Sequence, residues 1–180
     1  MNFDNEMKIN LSDLVNFIYR SKKQCFANSE IKISQSDGSS FYSHREFPWL
    51  YTDTYNGNII ERGTEDIYVD MVLFWSNQYR GGTLEKFWDK SRAISQFLKK
   101  ALIETPEEFP IRGPTYFTLN NFKFNDHTFK GELVYTNKWN GDILKFTGQE
   151  RIRWNGTNVF YHDYMGGLTK NRYFKTKVEQ

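Results

Sequence analysis

The sequence predicts an α+β fold made of two internally duplicated antiparallel β-meanders. Each would carry a packed α-helix, and the two would be related by a pseudo-two-fold arrangement. Three observations carry this. Residues 51–67 (YTDTYNGNIIERGTEDI) and residues 135–152 (YTNKWNGDILKFTGQERI) repeat the same features in the same order. Aromatics form 18% of the chain, with 16 Phe, 11 Tyr and 5 Trp, which favours a folded, sheet-rich protein. A segment of helical periodicity precedes each repeat.

The first helix is read from LSDLVNFIYRSKKQ. Asn10 or Ser12 can cap it, and Leu11, Leu14, Val15 and Ile18 fall on one face. Arg20, Lys22 and Lys23 would make its last turn basic, as suits a helix C-terminus. SQSDGSS (34–40) reads as a polar loop. From Pro48 to Gly82, WLYTDTY, NIIERGTEDIYV and MVLFWSNQYRGG are rich in β-branched and aromatic residues and read as strands. Asn56-Gly57 marks a hairpin.

The second helix is predicted over TLEKFWDKSRAISQFLKKALIE, with Thr83 as N-cap. Phe87, Ile94, Phe97, Leu98, Ala101 and Leu102 form its apolar stripe. Residues 105–114 (TPEEFPIRGP) hold three of the four prolines and read as a stiff extended connector. Strands resume at TYFTLNNFKFND, TFKGELVYTNKW, DILKFTGQERIRW and NVFYHDYMGG, with Asn140-Gly141 and Asn155-Gly156 at turn positions. The expected organisation is a disordered N-terminus over 1–9, a first half with the second helix over 10–104, the connector, a second meander over 115–169 and a basic tail over 170–180. Together these make one compact domain.

The repeat aligns Tyr51-Thr52 with Tyr135-Thr136, Asn56-Gly57 with Asn140-Gly141, and Ile59 with Ile143. One inserted residue later, Gly63-Thr64-Glu65 aligns with Gly148-Gln149-Glu150, Trp75 with Phe160, Tyr79 with Tyr164, and Gly81-Gly82 with Gly166-Gly167. Glycine and Asn-Gly matches encode backbone shape, so chance similarity of apolar residues is a poor explanation. The inserted residue, between Ile143 and Gly148, is expected to form a β-bulge.

With RSKKQCFA ending the first helix, QYRGG ending the first meander, ETPEEFPIRGP after the second helix, and G-x-E-x-I…Y-x-G-G in the second meander, the chain resembles a family of small bacterial proteins. That family is catalogued as a domain of unknown function, found alone or behind helix-turn-helix repressor modules. The resemblance runs from about Leu11 to Leu168, and PEEFPIRGP and the G-x-E motifs are its most specific part. It implies the fold boundaries and a bacterial or phage cytosol. It brings no activity, and the chain has no room for a helix-turn-helix module.

Function is less legible. A net charge of +2 does not by itself imply nucleic acid or membrane, so nucleic acid is disfavoured as a partner and no membrane is expected. One cysteine, Cys25, excludes an intramolecular disulfide and points to a reducing cytoplasm. The polar start MNFDNEMKIN is not a signal peptide. His44, His127 and His162 lack zinc-like spacing, so neither a metal nor a cofactor is expected.

Glu65 and Glu150 are the candidate catalytic pair. Each sits two residues after a glycine and two before an isoleucine, on one strand face. Two carboxylates at about 5–10 Å can act on a glycoside. The structural reading is that each accepts hydrogen bonds from backbone N–H groups or an arginine in its own half. Gly81-Gly82 and Gly166-Gly167 read as tight strand exits or as anion cradles. Tyr55, Trp75, Tyr79, Trp139, Tyr164 and Arg80 are candidate ligand-binding residues on an aromatic cleft between the halves. The leading expectation is a non-catalytic binding or regulatory module for a small molecule or protein partner, as a monomer or dimer. The alternatives are a sugar- or nucleotide-directed hydrolase or transferase using Glu65 or Glu150, and a single-stranded nucleic-acid binder.

Overall fold

Period-two burial runs along almost every strand between Trp49 and Leu168, and one sheet results. The computed structural model describes residues 6–27, 33–169 and 175–179. Element order is β1 (Glu6–Asn10), α1 (Leu11–Ala27), β2 (Ile33–Ser34), β3 (Ser40–Glu46), β4 (Trp49–Asn56), β5 (Ile60–Val69) and β6 (Val72–Thr83). A 3-10 helix (Glu85–Lys90) leads into α2 (Ser91–Ile103). β7 (Tyr116–Phe124), β8 (His127–Asp142), β9 (Lys145–Trp154), β10 (Thr157–Leu168) and β11 (Lys175–Glu179) follow.

Nine strands form one continuous sheet in the order β2-β3-β4-β5-β6-β10-β9-β8-β7, antiparallel throughout. The two meanders therefore share a sheet and meet where β6 pairs with β10. Tyr79 stands opposite Tyr164 at that join, with Gly81 opposite His162 and Asn77 opposite Gly166. One cluster of buried apolar residues gathers α1 with Tyr51, Ile67, Phe74 and Trp75, and a second gathers α2 with Phe122, Phe129, Leu133 and Ile152. No helix among the described residues is long and apolar enough to cross a membrane.

Several elements differ from expectation for identifiable reasons. Thr83 does not cap the second helix. Its N–H donates to Ile59 O and that of Leu84 to Val159 O, so the sheet holds both residues and α2 begins only at Ser91. The extra residue of the second repeat makes no bulge. The β8–β9 ladder is unbroken from Leu133↔Trp154 to Asp142↔Lys145, and the residue lengthens the turn, where Asp142 Oδ1 accepts from the N–H groups of Leu144 and Lys145. The two Gly-Gly pairs lie at the C-terminal ends of β6 and β10, each just before the strand's last residue, and neither begins a helix.

β3 was not expected, because its serines interrupt the apolar alternation of SFYSHRE. Residues 6–10, of which 6–9 belong to the expected disordered start, pair in parallel with 175–179 of the C-terminal tail. Chain ends order when something ties them down, and Ile9 is buried in the first core cluster. Asn10 is the cap of α1, its Oδ1 accepting from Ser12 N at 2.8 Å. Asn155 and Gly156, at φ 47° and 80°, form the two-residue turn joining β9 and β10.

The repeated glycine has a local cause. Gly63 faces Tyr79 across β5–β6, and Gly148 faces Tyr164 across β9–β10. A Cβ at Gly63 would lie 2.3 Å from the Tyr79 ring, and one at Gly148 would lie 2.1 Å from that of Tyr164. Each glycine is thus the seat on which a tyrosine lies flat. Gly148→Ala is expected to displace Tyr164 and destabilise the fold by about 1–3 kcal/mol, measured by urea unfolding.

Candidate functional site

The seated tyrosines reach the neighbouring meander strand. Tyr79 Oη donates to Asp53 Oδ1 and Tyr164 Oη to Asn137 Oδ1, both at 2.7 Å. Strand alternation puts the glutamate of each G-x-E stretch on the same inward face. Glu65 and Glu150 are 1% and 0% exposed, so each carboxylate needs a cation.

Glu65 takes Lys22 Nζ at 2.8 Å and Asn77 Nδ2 at 2.9 Å. Lys22 comes from α1 and also donates to Ile111 O. Glu150 takes Arg112 Nε at 2.8 Å, with the Tyr135 hydroxyl donating to Oε1. His162 Nδ1 lies 2.9 Å from Glu150 Oε2 and 3.1 Å from Arg112 Nη2. Burial works to raise the Glu150 carboxyl, but Arg112 and His162 outweigh it and hold it at about 2. Burial likewise works to lower Arg112, and Glu150 and then Glu65 outweigh it, so its net shift is upward. For Lys22 burial wins over the pull of Glu65, and its ammonium is shifted down.

Beside this polar seam is a cavity of about 120 Å³, lined by the first meander, the two helices and the connector. Tyr42, Asp53, Tyr55, Glu61 and Tyr79 form its sheet wall, and Cys25, Ser95, Leu98, Lys99, Leu102 and Arg112 close it. Burial, then Glu65, pushes the Asp53 carboxyl up to about 7. Burial, with Asp53 and Glu65 adding to it, raises the Cys25 thiol to about 12, which makes it a poor nucleophile.

These shifts give opposite pH signatures. Glu150 has a depressed carboxyl, so its stabilisation is present above pH 4.5 and is lost as pH falls toward 2. Asp53 has a raised carboxyl, so the folded state binds its proton more tightly and stability falls as pH rises from 3.8 to 7. Asp53→Asn is therefore expected to be more stable than wild type at pH 8, by up to about 4 kcal/mol, and equal to it near pH 4. Urea unfolding at the two pH values measures the difference.

The sequence-derived candidates separate into three environments. Tyr55 and Tyr79 line the cavity. Trp75 is fully buried with Nε1 donating to Ile143 O, Tyr164 is buried on Asn137, and Trp139 stacks on Phe109 at 4.6 Å. Arg80 is exposed on the opposite sheet face, beside Arg62. Glu65 and Glu150 lie in the seam and not on the cavity wall. Among the described residues no three His, Cys, Asp or Glu side chains are grouped to hold a metal ion.

Sequence reasoning missed Lys22, Asp53, Glu61 and Arg112. The sequence places Lys22 in a basic last turn, yet α1 continues to Ala27. It continues the stripe Leu11, Leu14, Ile18 at helical spacing, and that was the available signal. Arg112 stands in TPEEFPIRGP, the connector, where Phe109, Ile111 and Arg112 are all buried.

The chain belongs to the family described as a domain of unknown function (DUF5680), whose model matches residues 53–169. No curated protein and no solved structure matches the chain significantly.

Proposed function

We propose that this protein is a non-catalytic binding module whose small-molecule ligand occupies the cavity between the first meander, α2 and the connector. The observation that carries this is the lining itself. Three tyrosines and two buried charged groups, Asp53 and Arg112, converge on one apolar-backed space. Ligand sites commonly have this composition, mostly apolar with a few fixed polar groups.

The catalytic alternative is weaker on the same geometry. Glu150 is locked as a carboxylate by Arg112, and neither repeated glutamate lines the cavity. The outer sheet face intersperses Arg62, Arg80 and Arg151 with Asp66 and Asp163, and Arg151 is paired to Asp163 at 2.7 Å. That mixture offers little to a phosphate backbone.

We also infer that the halves arose by duplication and are related by a pseudo-two-fold axis through the Tyr79–Tyr164 pair. In support, four strands run outward in reverse chain order on each side of that join, β6-β5-β4-β3 and β10-β9-β8-β7, with β2 extra at one edge, and each half has one G-x-E glutamate bound to a basic side chain, Lys22 or Arg112. A bacterial or phage cytoplasm is the setting we assign, from the single cysteine and the family resemblance.

A thermal-shift screen of metabolites against wild type and Ser95→Trp tests the binding reading. Ser95 lines the cavity, and an indole there fills it. Ligand at about a hundred times its Kd should stabilise wild type by about 2.7 kcal/mol and leave Ser95→Trp unmoved. Equal shifts in both proteins refute the cavity as the site.

A further inference from the structure

Charge is unevenly distributed around the cavity. Four carboxylates, Asp53, Glu61, Glu65 and Glu150, belong to the cavity and the adjoining seam, against the buried cations Lys22 and Arg112. Both cations are committed. Lys22 is 2.8 Å from Glu65, and Arg112 Nε is 2.8 Å from Glu150 while its guanidinium stacks 5.5 Å over the Tyr79 ring. Lys99 is exposed at the rim. Asp53 receives only the Tyr79 hydroxyl as a hydrogen-bond donor among the described residues.

The matching ladder positions of the second meander carry no such carboxylates. Asp53 stands opposite Glu65, and its counterpart opposite Glu150 is Asn137. Glu61 stands opposite Gly81, and its counterpart opposite Gly166 is Phe146. The strut glutamate is present in both halves, whereas Asp53 and Glu61, which line the cavity, are replaced by Asn137 and Phe146 in the second meander. The fully buried His162 Nε2 has no hydrogen-bond partner among the described residues and stands 4.0 Å from Glu61 Oε1, a further polar atom behind the cavity wall.

The remaining wall is aromatic. Tyr42 and Tyr55 stack at 6.1 Å and 14°, beside Tyr79. Tyrosine faces attract a desolvated cation, and a buried carboxylate with no basic side chain bonded to it among the described residues calls for one.

We propose that the ligand is a small organic cation, a protonated amine held by Asp53 and Glu61 and enclosed by Tyr42, Tyr55 and Tyr79. This rests on the reading of the cavity as a binding site. An ammonium supplies the missing countercharge, and its alkyl part packs on Leu98 and Leu102.

The test is a melting-temperature titration at fixed ionic strength with n-butylammonium, butyrate and 1-butanol as probes. Wild type, Asp53→Asn, Glu61→Gln and Ser95→Trp are compared. Asp53→Asn should fold, because Asn137 accepts the Tyr164 hydroxyl at 2.7 Å in the same arrangement. Butylammonium should shift wild type saturably, with affinity at least about tenfold weaker in Asp53→Asn, several-fold weaker in Glu61→Gln and abolished in Ser95→Trp. Butyrate and butanol should give no saturable shift. A butylammonium response unchanged in Asp53→Asn overturns the proposal. A saturable response to butyrate or butanol that Ser95→Trp removes overturns the cation while leaving the cavity as a site. No probe response sensitive to Ser95→Trp overturns both.

Discussion

Arg112→Leu should cost the fold about 3–5 kcal/mol, the largest loss expected from removing a single charge among the described residues. The substitution leaves Glu150 at 0% exposure with its principal countercharge gone, and removes the contact of Arg112 with His162. At this chain length such a loss lowers Tm by about 6–20 °C. Arg112→Lys should recover only part of it. An ammonium reaches Glu150 as a point charge but cannot also meet His162 and stack on Tyr79. Paired with Glu150→Gln, Arg112→Leu should cost less than the sum of the two single changes. Urea unfolding of the four proteins gives the coupling, and strict additivity would show that the pair is not a unit.

Lys22→Met is the second large effect, expected at about 3 kcal/mol. It leaves Glu65 buried with only Asn77 as a partner among the described residues and removes the bond that ties α1 to the carbonyl of Ile111. Here the double change has the opposite expectation from a surface pair. Burial already shifts Lys22 down, so its ionisation is costly, and Lys22→Met with Glu65→Leu should recover most of the stability or exceed wild type. If it does, Lys22 and Glu65 hold the helix in register more than they stabilise it. The assay is again the midpoint of urea unfolding.

These two residues also mark where the sequence was readable and where it was not. The G-x-E repeat was visible as pattern, and the strands and turns it encodes are present, from the Asn155-Gly156 turn to the buried stripe Phe87, Ile94, Phe97, Leu98, Ala101 and Leu102. Its partners were not visible, because they come from outside the repeat. Lys22 is 43 residues from Glu65, and Arg112 is 38 from Glu150. A lysine near a helix end and an arginine between prolines look like solvated residues until the sheet brings carboxylates beneath them. Asp53 and Glu61 escaped for a related reason. Their meaning lies in contrast with Asn137 and Phe146: the repeat already sets Asp53 against Asn137, but only the folded chain shows that Asp53 lines a cavity. Thr83 failed as a cap because an N-cap residue and a strand end look alike in sequence, and the sheet's hydrogen bonds decided between them.

The most direct measurement is a calorimetric titration of the best compound from the screen into wild type and Ser95→Trp. The account predicts saturable binding to a single site in wild type, no heat of binding in Ser95→Trp, and melting temperatures of the two free proteins within a few degrees. Undiminished binding to Ser95→Trp, whose cavity is filled, would contradict it.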